Sequence, residues 1–242
     1  MIKSSAVLFV FSLNNIVYEE KNDLLKGMII IDKDNDIFQN GPNRPPVGND
    51  CSICQKQRCR KGRNCYPDIN AGIVEKYKEP ENLKLVKASA AIESRYYQKV
   101  TRLEEIRLFA QEMSYTKLGV ATCIGLIEEA QMITAYLKKY FEVSLVICKN
   151  GGLLKSNLEL EQINAGKDEV MCNPIGQAFF LNQKQTDLNI ICGLCVGHDI
   201  LFSKYSNAPV TTIIVKDRVL GHNPAAVLYS SYYRKKVLDL WK

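Results

Sequence analysis

The sequence predicts an α/β fold: a Rossmann-like, doubly wound, mainly parallel sheet of about four or more strands, preceded by a four-cysteine knuckle and a helical segment. Three observations predict it. From Lys117 onward, strand-length apolar runs alternate with amphipathic helical segments. Those runs are apolar almost throughout, which is the pattern of parallel strands covered on both faces. Upstream, four cysteines fall within Cys51–Cys65, a short polar stretch that a bound metal can organise without a hydrophobic core.

Taken in chain order, residues 1–50 read as an N-terminal extension and linker. The apolar runs AVLFVFSL and GMIIIDKD have strand character, and NGPNRPPVGND is a loop by its Pro, Gly and Asn content. Residues 51–69 form the knuckle and residues 70–115 a helical connector. In the connector Thr101 and Glu104 have capping-box spacing, and Leu103, Ile106, Phe109, Ala110 and Met113 share one face, a core-packing stripe. Residues 116–242 form the Rossmann-like α/β domain. Its strands are expected at Lys117–Cys123, Glu142–Cys148, Asp187–Cys195 and Pro209–Val215. The intervening helices include one with Asn173 as N-cap and Pro174 at its first position, and one C-terminal helix opened by Asn223 and Pro224.

Composition narrows the function classes. A 242-residue chain with 46% apolar and 24% charged residues builds a core without disulfides. Net charge is +6, and five of the basic residues (Lys56, Arg58, Arg60, Lys61 and Arg63) lie inside the cysteine stretch, so no protein-wide nucleic-acid footprint is present. The run Ala6–Leu13 is too short to span a bilayer and lacks a small-residue cleavage site. A cytoplasmic protein with no membrane association is expected. In that reducing compartment nine cysteines are ligands or reactive groups rather than disulfide halves.

Two groups of cysteines emerge. The first has the spacing C-x2-C-x4-C-x5-C, and Cys51, Cys54, Cys59 and Cys65 are read as the ligands of zinc or an iron-sulfur cluster. The interleaved cations offset the net charge of about −2 on a tetrathiolate site and lower the thiol pKa values. They can also contact phosphates, but the stretch contains no aromatic for base stacking, and nucleic acid is not the expected partner.

The second group is dispersed in sequence. Cys123, Cys148 and Cys195 are expected at strand C-termini and Cys172 just before the N-cap Asn173, positions that share the ligand-binding edge of an open parallel sheet. Both histidines of the chain, His198 and His222, fall beside that edge. A second metal, or a small-molecule ligand attacked by Cys172 or Cys195 with His198 or His222 as acid or base, is the chemistry such an edge supports. Cys172, at a helix start, is expected to be the more acidic thiol. Cys192 is read as a buried core residue.

The motifs CSICQKQRCRKGRNC, GVATCIGLIEEA, ICKNGG, CNPIGQA, GLCVGHD and APVTTIIVKDRVLGHNPAA together resemble an uncharacterised family known only as predicted metal-binding proteins. The resemblance runs from about Cys51 to the C-terminus. It implies metal binding without a named reaction. It matches the family's motif cysteines to Cys51, Cys54, Cys59, Cys65, Cys123, Cys148, Cys172 and Cys195, with His198, Asp199, Asp217, His222 and Asn223 in the surrounding motifs. The leading expectation is a metal-binding α/β protein with a four-cysteine site and a thiol-rich sheet edge. A thiol- or metal-dependent enzyme on a sulfur- or phosphate-containing small molecule, and an RNA-binding module using the basic cluster, are the alternatives.

Overall fold

The computed structural model describes residues 10–12, 15–17 and 51–239, apart from Ile53 and Ala165. The chain divides into two compact units, Met1–Val74 and Glu75–Lys242. In the first unit, β1 (Val10–Ser12) and β2 (Asn15–Val17) pair antiparallel. β1 lies within the first apolar run, whereas GMIIIDKD and the linker lie outside the described residues. The cysteine stretch turns through a short 3-10 segment at Arg58–Lys61 and leads into α1 (Pro67–Asn70), with proline at the first helical position. α2 (Ile73–Lys78) follows.

In the second unit α3 (Pro80–Tyr96) and α4 (Arg102–Glu112) precede the sheet. α4 starts at the expected capping box: the Glu104 amide donates to Thr101 Oγ1 at 3.4 Å, and the Thr101 amide donates to the Glu104 carboxylate at 3.0 Å. The alternation from Lys117 then builds β3 (Lys117–Thr122), α5 (Ile127–Leu137), β4 (Glu142–Ile147), α6 (Pro174–Gln183), β5 (Leu188–Cys192), α7 (His198–Tyr205) and β6 (Val210–Ile214). The strands form one sheet in the order β4-β3-β5-β6, all parallel.

Side-chain alternation along the strands divides the core. Leu118 and Val120 of β3 and Ile190 and Cys192 of β5 pack with Ile106 and Ala110 of α4 and with Ala130, Ile133 and Leu137 of α5. Ala121 and Ile191 point the other way, to Ala178 and Leu181 of α6 and Phe202 of α7. Helices therefore cover both faces, and the sheet is doubly wound. Each fully buried Leu or Ile in these clusters contributes about 1.5–3 kcal/mol of burial free energy. Gly119 allows the closest approach on the second face, because a Cβ there would lie 2.1 Å from Asn189 Oδ1 and 2.7 Å from Leu181 Cδ1. The buried Asn189 is itself satisfied, accepting from Thr186 Oγ1 and donating to Ser206 Oγ, both at 2.8 Å.

Two sequence expectations need correction. The third strand of the domain ends at Cys192 rather than Cys195, because Gly193 takes φ +71° and a side chain there would meet Leu126 Cδ1 at 2.0 Å. The C-terminal helix is two short pieces, α8 (Ala226–Tyr229) and α9 (Ser231–Lys236). They are separated by Ser230, whose extended backbone and hydroxyl cap the second piece. Among the described residues no helix is long and apolar enough to cross a membrane.

Candidate functional site

The strand order creates a switch point. From β3 the chain winds outward over α5 to β4, then returns across β3 through α6 to β5. The loops after β3 and β5 consequently leave toward opposite faces, and the space between them is where open parallel sheets bind ligands. Cys123 follows β3 and Cys195 lies in the loop after β5, so both lie at this switch point.

Cys148 and Cys172 meet at the C-terminal ends of β3 and β4, because the first turn of α6 is tied to both strands. Asn173 caps α6, its Oδ1 accepting from the Gly176 amide at 2.8 Å, and its own amide donates to the Cys148 carbonyl at 2.7 Å. Asn150 Nδ2 donates to the carbonyls of Ile147 at 2.9 Å and Asn173 at 3.0 Å. One turn further, Gln177 Nε2 donates to the carbonyls of Thr122 at 3.0 Å and Val146 at 2.9 Å, while its buried Oε1 has no partner. Residues 149–172 loop out between these anchors, pinned by the Leu154–Val170 bridge and the Lys155–Glu169 ion pair, and bring Cys172 back onto Cys148.

The two sulfurs are 3.6 Å apart, within hydrogen-bond reach for sulfur. Their surroundings are unequal. Cys148 is 1% exposed, and its Sγ also accepts from the Ile124 amide at 3.3 Å. Cys172 is only partly buried. Of the two thiols it is Cys148 that is pushed well above the ordinary range, by the Cys172 contact and by burial, against the Ile124 amide. Cys172 is drawn down to about 7 by the Cys148 hydrogen bond, opposed by burial and helped by the charge of Lys149. The thiol partner, rather than the helix start, is the main cause. Cys123 and Cys195 are near enough for their charge to oppose ionisation of Cys172. All four edge cysteines thus belong to one electrostatic neighbourhood.

Sequence reasoning missed the cations. Arg218, after β6, donates from Nη2 to Cys195 Sγ at 3.0 Å, and that contact raises its own pKa. Lys149 hydrogen-bonds the Val170 carbonyl beside Cys172, and Lys216 reaches over Gly125 in the turn after Cys123. The available signal was position: each lies in a loop that leaves a strand C-terminus.

The histidines separate. His198 opens α7, its amide donating to the Cys195 carbonyl at 2.9 Å, and burial lowers its pKa, with Asp199 opposing and Lys149 and Arg218 adding to the shift. The same two cations that adjoin Cys172 and Cys195, Lys149 and Arg218, thus reach its imidazole. His222 is occupied locally: its Nδ1 accepts from the Asp217 amide at 3.1 Å, in a turn where Asp217 Oδ1 also takes the Val219 and Leu220 amides. Cys192 is fully buried in the core, with a pKa raised by that burial.

In the other unit, Cys51, Cys54 and Cys59 are exposed and Cys65 is partly buried. Cys51 Sγ lies 3.7 Å from the Tyr66 hydroxyl, and Cys65 Sγ contacts the Arg63 carbonyl at 3.9 Å. Among the described residues no three Cys, His, Asp or Glu side chains stand where a single ion would reach all of them. None of the nine cysteines is in a disulfide.

Comparison with known proteins places these features in a lineage. Residues 62–213 match the family described as Protein of unknown function (DUF1847). That span contains all four edge cysteines, but of the first group only Cys65. The chain is also 55% identical over 189 residues to the Uncharacterized protein MJ0455 of Methanocaldococcus jannaschii, covering 78% of this chain and 98% of that protein. No solved structure matches the chain.

Proposed function

The chain belongs to this family of unknown function, and we propose that it is a metal-binding thiol protein whose two cysteine groups do different work. Cys51, Cys54, Cys59 and Cys65 hold zinc or an iron-sulfur cluster, and the five neighbouring cations offset the thiolate charge. The donor set of four sulfurs suits such a soft centre, although the thiols do not stand in ligand geometry. When bound, the metal would order this loop-rich stretch. The sheet edge is a reactive thiolate centre for a sulfur- or phosphate-containing small molecule: Cys172 is the nucleophile, Cys148 its proton-holding partner, with Cys123, Cys195 and His198 beside it. A cytoplasmic, reducing setting suits nine cysteines that form no disulfide.

One observation carries the edge reading. A partly buried sulfur sits 3.6 Å from a buried one. This arrangement activates one thiol without a histidine base. Brief alkylation of the native protein at neutral pH, read peptide by peptide, tests it. Cys172 should be modified first among the edge cysteines, and labelling of Cys172 no faster than Cys123 or Cys195 would sink the reading.

The same distance favours a second reading. Two sulfurs bonded to one tetrahedral ion at about 2.3 Å stand about 3.8 Å apart, close to the 3.6 Å found here. In that case Cys148 and Cys172 would be two ligands of a second metal, and Cys123 and Cys195 would have to close in to complete it.

A further inference from the structure

We propose that Cys148 and Cys172 are an exchanging dithiol that reduces a small-molecule disulfide and closes into a Cys148–Cys172 disulfide. The inference rests on the reading of the edge as a reactive thiolate centre and assigns it a substrate class.

Accessibility and backbone geometry argue for it. Disulfide exchange needs one sulfur that a substrate can reach and a second, shielded from substrate, that waits within reach of the first. Cys172 is partly buried, while Cys148 is 1% exposed. Their sulfurs are 3.6 Å apart, so bond formation at about 2.05 Å requires an approach of about 1.5 Å. A side-chain rotation supplies a movement of that size, provided the backbones already lie side by side. They do: the Asn173 amide donates to the Cys148 carbonyl at 2.7 Å, and Asn150 clamps the carbonyls of Ile147 and Asn173. The cation of Lys149 adjoins Cys172, and no described carboxylate forms an ion pair with Lys149 or Arg218. Each leaving thiolate would therefore depart toward positive charge.

The steps balance. The Cys172 thiolate attacks one sulfur of the substrate RSSR; a Cys172–SR bond forms, the S–S bond breaks, and RS⁻ leaves with the bonding pair. Cys148 gives its proton to that RS⁻ and attacks Cys172 Sγ, so that the Cys148–Cys172 bond forms and the second RS⁻ departs. One dithiol loses two electrons and one disulfide gains them. An external dithiol reductant restores the reduced pair by the reverse exchange.

The test uses the full-length reduced protein and bis(2-hydroxyethyl) disulfide under anaerobic conditions, with peptide mapping by mass spectrometry. The wild type should accumulate a Cys148–Cys172 cross-link, Cys148→Ser should stop as a mixed disulfide on Cys172, and Cys172→Ser should form neither. Cys148→Ala serves as a second variant if serine disturbs the buried position, and the wild-type map needs no variant. A mixed disulfide on Cys172 that persists in the wild type, or a cross-link from Cys172 to Cys123 or Cys195, overturns the dithiol while leaving the thiolate reading intact. A Cys172 that is both slow to alkylate and inert to the disulfide overturns both.

Discussion

Replacing Cys148 by alanine removes the hydrogen bond that does most to hold Cys172 near 7. With that contact gone, the Cys172 pKa returns to at least the ordinary 9.0, since burial pushes it upward. At pH 7 the thiolate fraction then falls from about one half to about one hundredth, a loss of about 50-fold. A more basic thiolate is intrinsically more nucleophilic: with a Brønsted slope of about 0.45, a rise of about two pKa units recovers about eightfold. The net expectation is alkylation of Cys172 about sixfold slower at pH 7, with the midpoint of the pH–rate profile moved from about 7 to 9 or above. The assay is iodoacetamide labelling of the Cys172 peptide over a range of pH, in wild type and Cys148→Ala, with Cys195 as the internal reference. A profile that keeps its midpoint near 7 in the variant would refute the account, since the Cys148 contact could not then be what activates Cys172.

Two further outcomes test the scaffold that brings the cysteines together. Gly119→Ala should destabilise the domain by about 1–3 kcal/mol in a denaturant titration, because the added methyl has to displace Asn189 Oδ1 and Leu181; an unchanged midpoint would show that the second face is loosely packed. Asp187 accepts from the Thr116 amide at 2.7 Å, the Lys117 amide at 2.8 Å and Thr116 Oγ1 at 3.2 Å, bonds that outweigh its burial and lower its pKa. A carboxylate with a depressed folded-state pKa contributes stability above its unfolded pKa, near 4, and loses it as the pH falls through the folded value. Asp187→Ala should accordingly cost about 1–3 kcal/mol at neutral pH by leaving two backbone donors at the start of β3, the Thr116 and Lys117 amides, without their acceptor. The cost should shrink in acid, and a difference that stays constant from pH 7 to pH 2 would contradict this assignment.

The fold was legible because its determinants are local. The first two apolar runs of the domain, the Thr101–Glu104 box and the Asn173–Pro174 start need only neighbouring residues, and each lies where the sequence placed it. The edge was legible in outline, because strand ends and helix starts share one side of any parallel sheet. Its chemistry was not. The meeting of Cys148 with Cys172 depends on the path of the loop 149–172 and on the Asn150 and Gln177 clamps, which couple residues 23 to 55 positions apart. The position of Cys195 off the strand depends on Leu126 beneath Gly193, a contact between two loops. Arg218 lies in a quoted motif that does not say what it touches, and only the sheet order brings it to Cys195. The helix break at Ser230 lies in a sequence rich in helix-compatible residues, where one serine in an extended conformation ends one piece and caps the next.

The division of labour between the two cysteine groups is the central claim, and one measurement addresses it directly: metal content and thiol accessibility determined on the same anaerobically purified sample. Metal that disappears when Cys51, Cys54, Cys59 and Cys65 are replaced by serine, together with Cys148 and Cys172 that alkylate without any chelator, is the predicted result. Metal that survives those replacements, with Cys148 and Cys172 masked until a chelator removes it, would contradict the account.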